Sequence, residues 1–242
     1  MLTDFHTHIL PGIDDGSQDL DMTGRMLRAE KKQGVDLIVA TPHFYADQMA
    51  VDSFLENRTR AMEATARMRQ ASKEALPEIV VGAEVYYFQG MGRAEAMHRL
   101  TVADTDTILV ELPFEQWDEA VLRDVESLIR RQRLNVVLAH IERYYGFQSD
   151  KRVWDRVMAL PVTPQINAGS LVKKGGLFHR DNKRRFCLRY LSQHPQTIIG
   201  SDCHNMEGRA PNIRRARQEI EAALGAGALD AIDAATREAL NR

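Results

Sequence analysis

The sequence predicts an α/β chain whose parallel strands close into a barrel. Seven short runs rich in Val, Ile and Leu fall near residues 2–6, 36–41, 79–83, 107–111, 135–139, 163–167 and 196–201, and helical stretches separate most of them. Most of these runs lack polar alternation, as strands covered on both faces should. The stretches at 19–33, 51–75, 116–133, 179–193 and 210–223 mix Leu, Met and Ala with Arg, Glu and Gln at spacings that give amphipathic helices. They are long enough to serve as crossovers between parallel strands. No linker, low-complexity tract or repeat divides residues 1–242, so one domain of seven or eight βα units is expected. A doubly wound open sheet is the alternative architecture.

Composition narrows the function. At 44% hydrophobic and 27% charged, the 242 residues have the make-up of a folded globular protein. Thirty-two basic residues against 34 acidic ones leave a net charge of -2, which provides no general attraction to nucleic acid or to an anionic membrane. Two cysteines, Cys187 and Cys203, are too few for a disulfide framework and point to a reducing compartment. No apolar run reaches the ~18 residues of a membrane span, and the first residues lack the basic and apolar regions of a signal peptide. The expected location is the cytoplasm, without membrane insertion. Neither a Gly-rich dinucleotide fingerprint nor a Walker-type phosphate loop follows any of the runs.

In a parallel barrel the site is built where the strands end, so the residues delivered there matter most. Run one ends in Asp4-Phe5-His6-Thr7-His8 and continues into Asp14-Asp15-Gly16-Ser17; the strand period of two puts His6 and His8 on one side. The next runs end in His43, Glu84, Glu111 and His140, the last one in Asp202-Cys203-His204, and run six offers only Asn167. His6, His8, Asp15, His43, Glu84, Glu111, His140, Asp202 and His204 thus form a set of imidazoles and carboxylates drawn from six loops. Carboxylates packed so closely repel and desolvate one another unless divalent cations neutralise them. A mixed N and O donor set without thiolate suits Mn, Fe or Zn better than Mg or a soft metal, and bridging carboxylates allow two or three ions. Three such ions would outweigh the carboxylates and attract phosphate. Arg143 and Arg209, close after His140 and His204, are placed to add bidentate contacts to phosphoryl oxygens. His98, His179 and His194 have no carboxylate nearby in sequence and are expected at the surface.

These motifs resemble the PHP (polymerase and histidinol phosphatase) metal hydrolases, and within them the bacterial capsule-synthesis protein-tyrosine phosphatases. The resemblance runs the length of the chain. Its most specific stretch is residues 4–17, supported by Thr41-Pro42-His43, Gly82-Ala83-Glu84, Glu111-Leu112-Pro113, His140-Ile141-Glu142-Arg143-Tyr144 and Gly200-Ser201-Asp202-Cys203-His204. It implies a distorted (β/α)7 TIM-like barrel with two or three Mn2+ ions, hydrolysing phosphotyrosine on an autophosphorylated bacterial tyrosine kinase that controls capsular or extracellular polysaccharide synthesis. It also implies a division of ligands: His6, His8, Glu84 and Asp202 for one ion, Glu84, Glu111 and His140 for a second, and Asp15, His43 and His204 for a third. Arg143 and Arg209 match phosphate-binding arginines, and His43 and His204 join them as residues expected to take part in the chemistry. Histidinol-phosphate phosphatase is the main alternative on the same fold, and a PHP exonuclease comes third.

The expected reaction is in-line attack of metal-activated water on phosphorus, without a phosphoenzyme. Tyr45, Tyr86, Tyr87 and Tyr144 stand near strand ends where a phosphotyrosine ring would lie, although a tyrosine at a strand end more often serves packing than recognition. Cys203 and Arg209 share the Cys-x5-Arg spacing of cysteine-dependent phosphatases, but Cys203 sits between two expected metal ligands, so the spacing is read as chance. The basic stretch Lys173, Lys174, Arg180, Lys183, Arg184, Arg185 and Arg189 is expected to be a solvated helix side or, if functional, a dock for an acidic kinase tail.

Overall fold

A computed structural model describes residues 1–173 and 181–241. Its strands are β1 (Thr3–Thr7), β2 (Leu37–Ala40), β3 (His43–Phe44), β4 (Glu78–Val81), β5 (Glu84–Tyr86), β6 (Thr107–Glu111), β7 (Asn135–Leu138), β8 (Thr163–Asn167) and β9 (Ile198–Gly200), all paired in parallel. The nine segments correspond to the seven expected strands, two of which are broken in the middle. Pro42, which has no N–H to donate, separates β2 from β3, and Gly82-Ala83 separates β4 from β5. The ladder continues across both breaks, because Gly82 N donates to Ala40 O (2.8 Å) and Glu84 N to Pro42 O (3.0 Å).

One sheet runs β1-β2-β4 and the other β3-β5-β6-β7-β8-β9. The circuit closes where β9 returns to β1: Thr7 bridges Cys203, His8 N donates to Cys203 O (2.9 Å) and Asp202 N to His6 O (2.8 Å). The fold is therefore a distorted barrel of seven staves and not the doubly wound open sheet. Gly200 makes the closure possible: a Cβ there would stand 2.5 Å from His6 Cβ and 2.9 Å from His6 N.

The helices are α1 (Leu20–Lys32), α2 (Val51–Ala71), α3 (Glu119–Arg130), α4 (Arg152–Met158), α5 (Ala168–Leu171), α6 (Asn182–Gln193), α7 (Ile213–Leu224) and α8 (Ala226–Ala239). Asp19, Asp118 and Asp181 cap α1, α3 and α6 by accepting from Met22 N, from Ala120 N and Val121 N, and from Arg184 N. α2 ends four residues short of the expected 75, where Ser72 turns extended. α4 and α5 are too short to show an apolar period, which is why the sequence does not announce them. No helix among the described residues is long and apolar enough to cross a membrane.

The register between β1 and β2 slips by one between Asp4 and Thr7, and this irregularity sorts the side chains of β1. Phe5 joins Leu37, Val39, Leu109, Val137 and Ile198 in an apolar plug closed by Ala239 and Leu240 at the end of α8. Asp4 faces the other way, towards Glu30 of α1. His6 and His8 point at Glu84 across the barrel. A larger apolar cluster between the strands and the helices holds the barrel rigid from outside.

Candidate metal centre

All nine residues expected as ligands converge at the carboxyl ends of the strands. His6 Nε2 and His8 Nε2 stand 3.1 and 3.2 Å from Glu84 Oε2 and 3.7 and 3.4 Å from Asp202 Oδ1. His140 Nε2 lies 3.0 Å from Glu84 Oε1 and 3.2 Å from Glu111 Oε1. His43 Nδ1 lies 3.1 Å from Glu84 Oε2 and 4.0 Å from Glu111 Oε2. Asp15 Oδ1 stands 3.2 Å from His204 Nε2 and 3.6 Å from His43 Nε2. Glu84 therefore touches four imidazoles and occupies the centre. Asp15 is the outermost member, its side chain 66% exposed, while His6, His8, Glu84 and His140 are buried.

The backbone bends to deliver two of these residues. His140 and Asp202 both adopt left-handed conformations, at φ 30° and φ 53°, which non-glycine residues take up at a cost and usually at functional sites. Gly16 solves a different problem. A Cβ there would lie 2.2 Å from His8 O and 2.4 Å from His8 Cβ, so the Asp14-Asp15-Gly16-Ser17 loop can fold onto His8 only with glycine at that position.

Three residues that the sequence reading left outside the site hold the ligands in place. Gln165 Oε1 accepts from His140 N (2.8 Å) and from His6 Nδ1 (3.1 Å), which fixes the proton of His6 on Nδ1. Asp14 Oδ2 lies 2.7 Å from His8 Nδ1 and accepts from His43 N (3.0 Å). Asn167 takes a bond from Gln165 Nε2 (3.0 Å) and donates to Asp202 Oδ2 (2.6 Å). His204 Nδ1, in turn, donates to Asp202 O (3.0 Å). The only available signals were Asp14 beside Asp15 and the polar residues Gln165 and Asn167 in an otherwise apolar strand.

This bonding tests the donor set against a metal. With Nδ1 of both His6 and His8 turned to an acceptor, their Nε2 atoms face each other at 3.1 Å. Glu84 Oε2, His43 Nδ1 and His204 Nε2 are buried and hydrogen-bonded to nothing. Such a convergence of bare donors is unfavourable alone and becomes favourable around cations, so the residues fit a multi-metal centre. The electrostatics agree. Burial opposes ionisation of Glu84 and Asp202, yet the neighbouring imidazoles, His6 foremost, hold both carboxylates well below their usual range. Burial and the proximity of His8 press His204 down to about 4.

Both arginines reach the mouth. Arg209 Nη2 donates to Asp202 Oδ1 (2.7 Å), with Nη1 3.9 Å from Asp15 Oδ2. Arg143 Nη1 is 3.8 Å from Asp202 Oδ2, and its guanidinium lies 4.5 Å over the Phe114 ring. They remain 40% and 37% exposed, open to an incoming anion.

The expected tyrosines divide. Tyr45 stacks on His43 at 5.2 Å and meets Tyr86 at 5.6 Å, so both stand at the mouth. Tyr144 is fully buried, its hydroxyl accepting from Leu112 N, and Tyr87 donates to Asp124 (3.1 Å); both are packing residues. Phe114, not anticipated, lines the site against His140.

Of the basic stretch, Lys173, Lys183, Arg185 and Arg189 are exposed, whereas Arg184 turns inward to Glu219 (2.8 Å) and Leu171 O; Lys174 and Arg180 lie outside the described residues. His98 is exposed, His194 is half-buried on Tyr190, and His179 also lies outside the described residues. Both cysteines are free and buried. Burial and the nearby Glu30 push the Cys203 thiol well above its ordinary value, so it provides no thiolate nucleophile.

A parallel barrel with this donor set at its mouth has the architecture of metal-dependent hydrolases. The chain belongs to the CpsB/CapC family of capsular polysaccharide synthesis, whose model matches residues 2–240. It is 29% identical over 231 residues to tyrosine-protein phosphatase YwqE of Bacillus subtilis, covering 93% of this chain and 85% of the relative. It is 24% identical to tyrosine-protein phosphatase CpsB of Streptococcus pneumoniae over 230 residues, 93% and 92% of the two chains. Among solved structures, one from the study of YwqE and CpsB as metal-dependent tyrosine phosphatases superposes with a TM-score of 0.82 at 24% identity, covering 100% of this chain and 95% of the other. A β-aspartyl dipeptidase from Fervidobacterium islandicum shares the barrel alone, with a TM-score of 0.55 at 12% identity over 98% of this chain and 72% of the other.

Proposed function

We propose that this protein is a metal-dependent protein-tyrosine phosphatase whose substrate is an autophosphorylated bacterial tyrosine kinase of capsule or exopolysaccharide synthesis. The observation that carries the reading is the ring of imidazoles about Glu84, with Arg143 and Arg209 at its rim. The naming of its relatives as tyrosine phosphatases supports the substrate class.

His6, His8, Glu84 and Asp202 would hold one ion, Glu84, Glu111 and His140 a second, and Asp15, His43 and His204 a third, with Mn2+ the ion that the family resemblance implies and Fe or Zn also suited to nitrogen and oxygen donors lacking sulfur. When bound, such ions supply positive charge to the phosphoryl oxygens and acidify water for attack on phosphorus. Arg143 and Arg209 then grip the remaining phosphoryl oxygens in two-pronged contacts and orient the ester for in-line displacement. Phe114 keeps the Arg143 guanidinium flat and in place. Tyr45 and Tyr86 offer ring faces to the substrate's aromatic side chain. A tyrosine phenolate, with a pKa near 10, leaves with less protonation than an alkyl alcohol requires. Cys203 is completely buried and faces away from the mouth, so it is not placed to form a phosphoenzyme.

The test is a panel of phosphotyrosine peptide, histidinol phosphate and single-stranded DNA, each with added Mn2+ and again with chelator. Chelator-sensitive hydrolysis of the phosphotyrosine peptide above the other two is expected. Preference for histidinol phosphate or DNA overturns the substrate class.

A further inference from the structure

Behind β1, facing away from the mouth, lies a second convergence of metal-binding side chains. Asp4 of β1, Glu30 of α1 and Cys203 after β9 are all completely buried, and their donor atoms lie within 4.8 Å of one another. The register slip in β1 separates the two groups: it turns His6 and His8 to Glu84 and leaves Asp4 against α1.

Two carboxyl groups and a thiol in an apolar layer need explaining. Asp4 Oδ1 is satisfied by Ser201 N (2.8 Å) and His6 N (3.3 Å), but Asp4 Oδ2 has no hydrogen-bond partner. Glu30 Oε1 accepts from Cys203 Sγ at 3.8 Å, and Glu30 Oε2 and Asp4 Oδ2 can pair with each other only by sharing a proton. No Lys, Arg or His among the described residues pairs with either carboxylate, although buried carboxylates are ordinarily paired, hydrogen-bonded or metal-bound.

The spacing suits a small tetrahedral ion. Bonds of about 2.0–2.2 Å to oxygen and about 2.3 Å to sulfur set such ligands roughly 3.5 Å apart, near the observed sulfur-to-carboxylate separation. Ser201 Oγ, which accepts from Cys203 N at 3.2 Å, borders the group. The sulfur sets this group chemically apart from the mouth, whose donors are all nitrogen and oxygen, and favours a Zn2+-type ion over Mn2+.

We propose that Asp4, Glu30 and Cys203 form a buried structural site for a Zn2+-type ion, distinct from the catalytic mouth. On binding, metal–oxygen and metal–sulfur bonds form, and the thiol proton, with any proton shared by the carboxyl pair, leaves to solvent. The ion ties α1 to β1 and to the segment carrying Asp202 and His204. It fills as the chain folds, since all three ligands are sealed from water. The inference does not depend on the phosphatase reading.

The protein, produced in medium supplemented with Co2+ and freed of loose metal, reports on the site by its near-ultraviolet spectrum. Cobalt at the mouth touches no sulfur, so a sulfur-to-cobalt charge-transfer band arises only from a cysteine. The band is expected in the wild type and in Cys187→Ala, and absent in Cys203→Ala. It is also expected to vanish in Glu30→Gln, which keeps the thiol but removes a carboxylate, together with about one cobalt per chain. A wild-type protein whose mouth is filled with cobalt but shows no such band overturns the proposal, as does a band lost in Cys187→Ala and kept in Cys203→Ala. Because the wild-type spectrum decides the matter, the proposal stays testable even if a variant fails to fold.

Discussion

The carboxamide oxygen of Gln165 sits 3.1 Å from Nδ1 of His6, while the same oxygen accepts the backbone N–H of His140 at 2.8 Å. One side chain of β8 thus sets the tautomer of one candidate ligand and the position of another. Removing such an outer partner typically weakens metal binding by about 10–100-fold. Gln165→Leu, close in volume and unable to accept, is expected to lower Mn2+ affinity by that factor in a calorimetric titration. An affinity equal to that of the wild type would show that Gln165 does not orient His6.

Much of this centre is legible in the sequence, because strand ends announce themselves. An apolar run that stops at His, Asp or Glu marks a position that a barrel carries to its mouth, and His6, His8, His43, Glu84, Glu111, His140, Asp202 and His204 are found there. The residues that hold them are harder to see. Gln165 lies inside a strand, where a polar residue has no distinctive spacing, and Asp14 differs from its neighbour Asp15 only in which way the loop turns it. The register slip in β1 has no sequence signature, so strict alternation would wrongly place Asp4 beside His6 and His8. Tyr144 shows the limit of position alone: it stands near a strand end, and its ring fills the space beside Trp117 and Phe114.

Arg209 and Arg143 both lean on Asp202, but their supports differ. Arg209 forms the closer ion pair, at 2.7 Å against 3.8 Å, and Arg143 rests on the Phe114 ring. Loss of one preorganised donor to a charged transition state costs roughly 10²–10³ in rate. Arg209→Ala is expected to reduce kcat/KM for a phosphotyrosine peptide by about that factor with bound metal unchanged by elemental analysis. Phe114→Leu, which removes only the ring beneath Arg143, should give a smaller loss, mainly in KM. An Arg209→Ala enzyme with wild-type kcat/KM would remove this residue from phosphate binding.

Metal chemistry and thiol chemistry predict opposite sensitivities. Cys187 and Cys203 are both buried, and burial pushes both thiols upward. Iodoacetamide applied to the native protein should therefore leave phosphotyrosine hydrolysis intact, because alkylation requires an accessible thiolate. Chelator should abolish the same activity, and added Mn2+ should restore it. Inactivation by iodoacetamide at full metal content, followed by mass spectrometry, would locate a nucleophilic cysteine and exclude the mechanism above.

The pair His8–Asp14 gives the metal-free protein a specific pH dependence. Burial disfavours the His8 cation, but Asp14 at 2.7 Å, with Asp202 and Glu84, outweighs it and raises His8 well above 6.5. That contribution to stability is complete below 6.5 and is lost as pH rises through the elevated value. Burial likewise disfavours the Asp14 anion, and the bond from His8 overcomes it, holding Asp14 at about 2 against an ordinary 3.8. Its contribution is present above 3.8 and is lost as pH falls through about 2. Both terms operate together between pH 3.8 and 6.5. In chelated protein, the Tm difference between wild type and Asp14→Asn is expected to be largest in that window and to shrink on the alkaline side. Metal binding needs the His8 lone pair, so Mn2+ affinity should rise over the same alkaline range in which the apoprotein loses this support. A Tm difference that stays flat from pH 4 to 9 would show that Asp14 does not hold a charged His8.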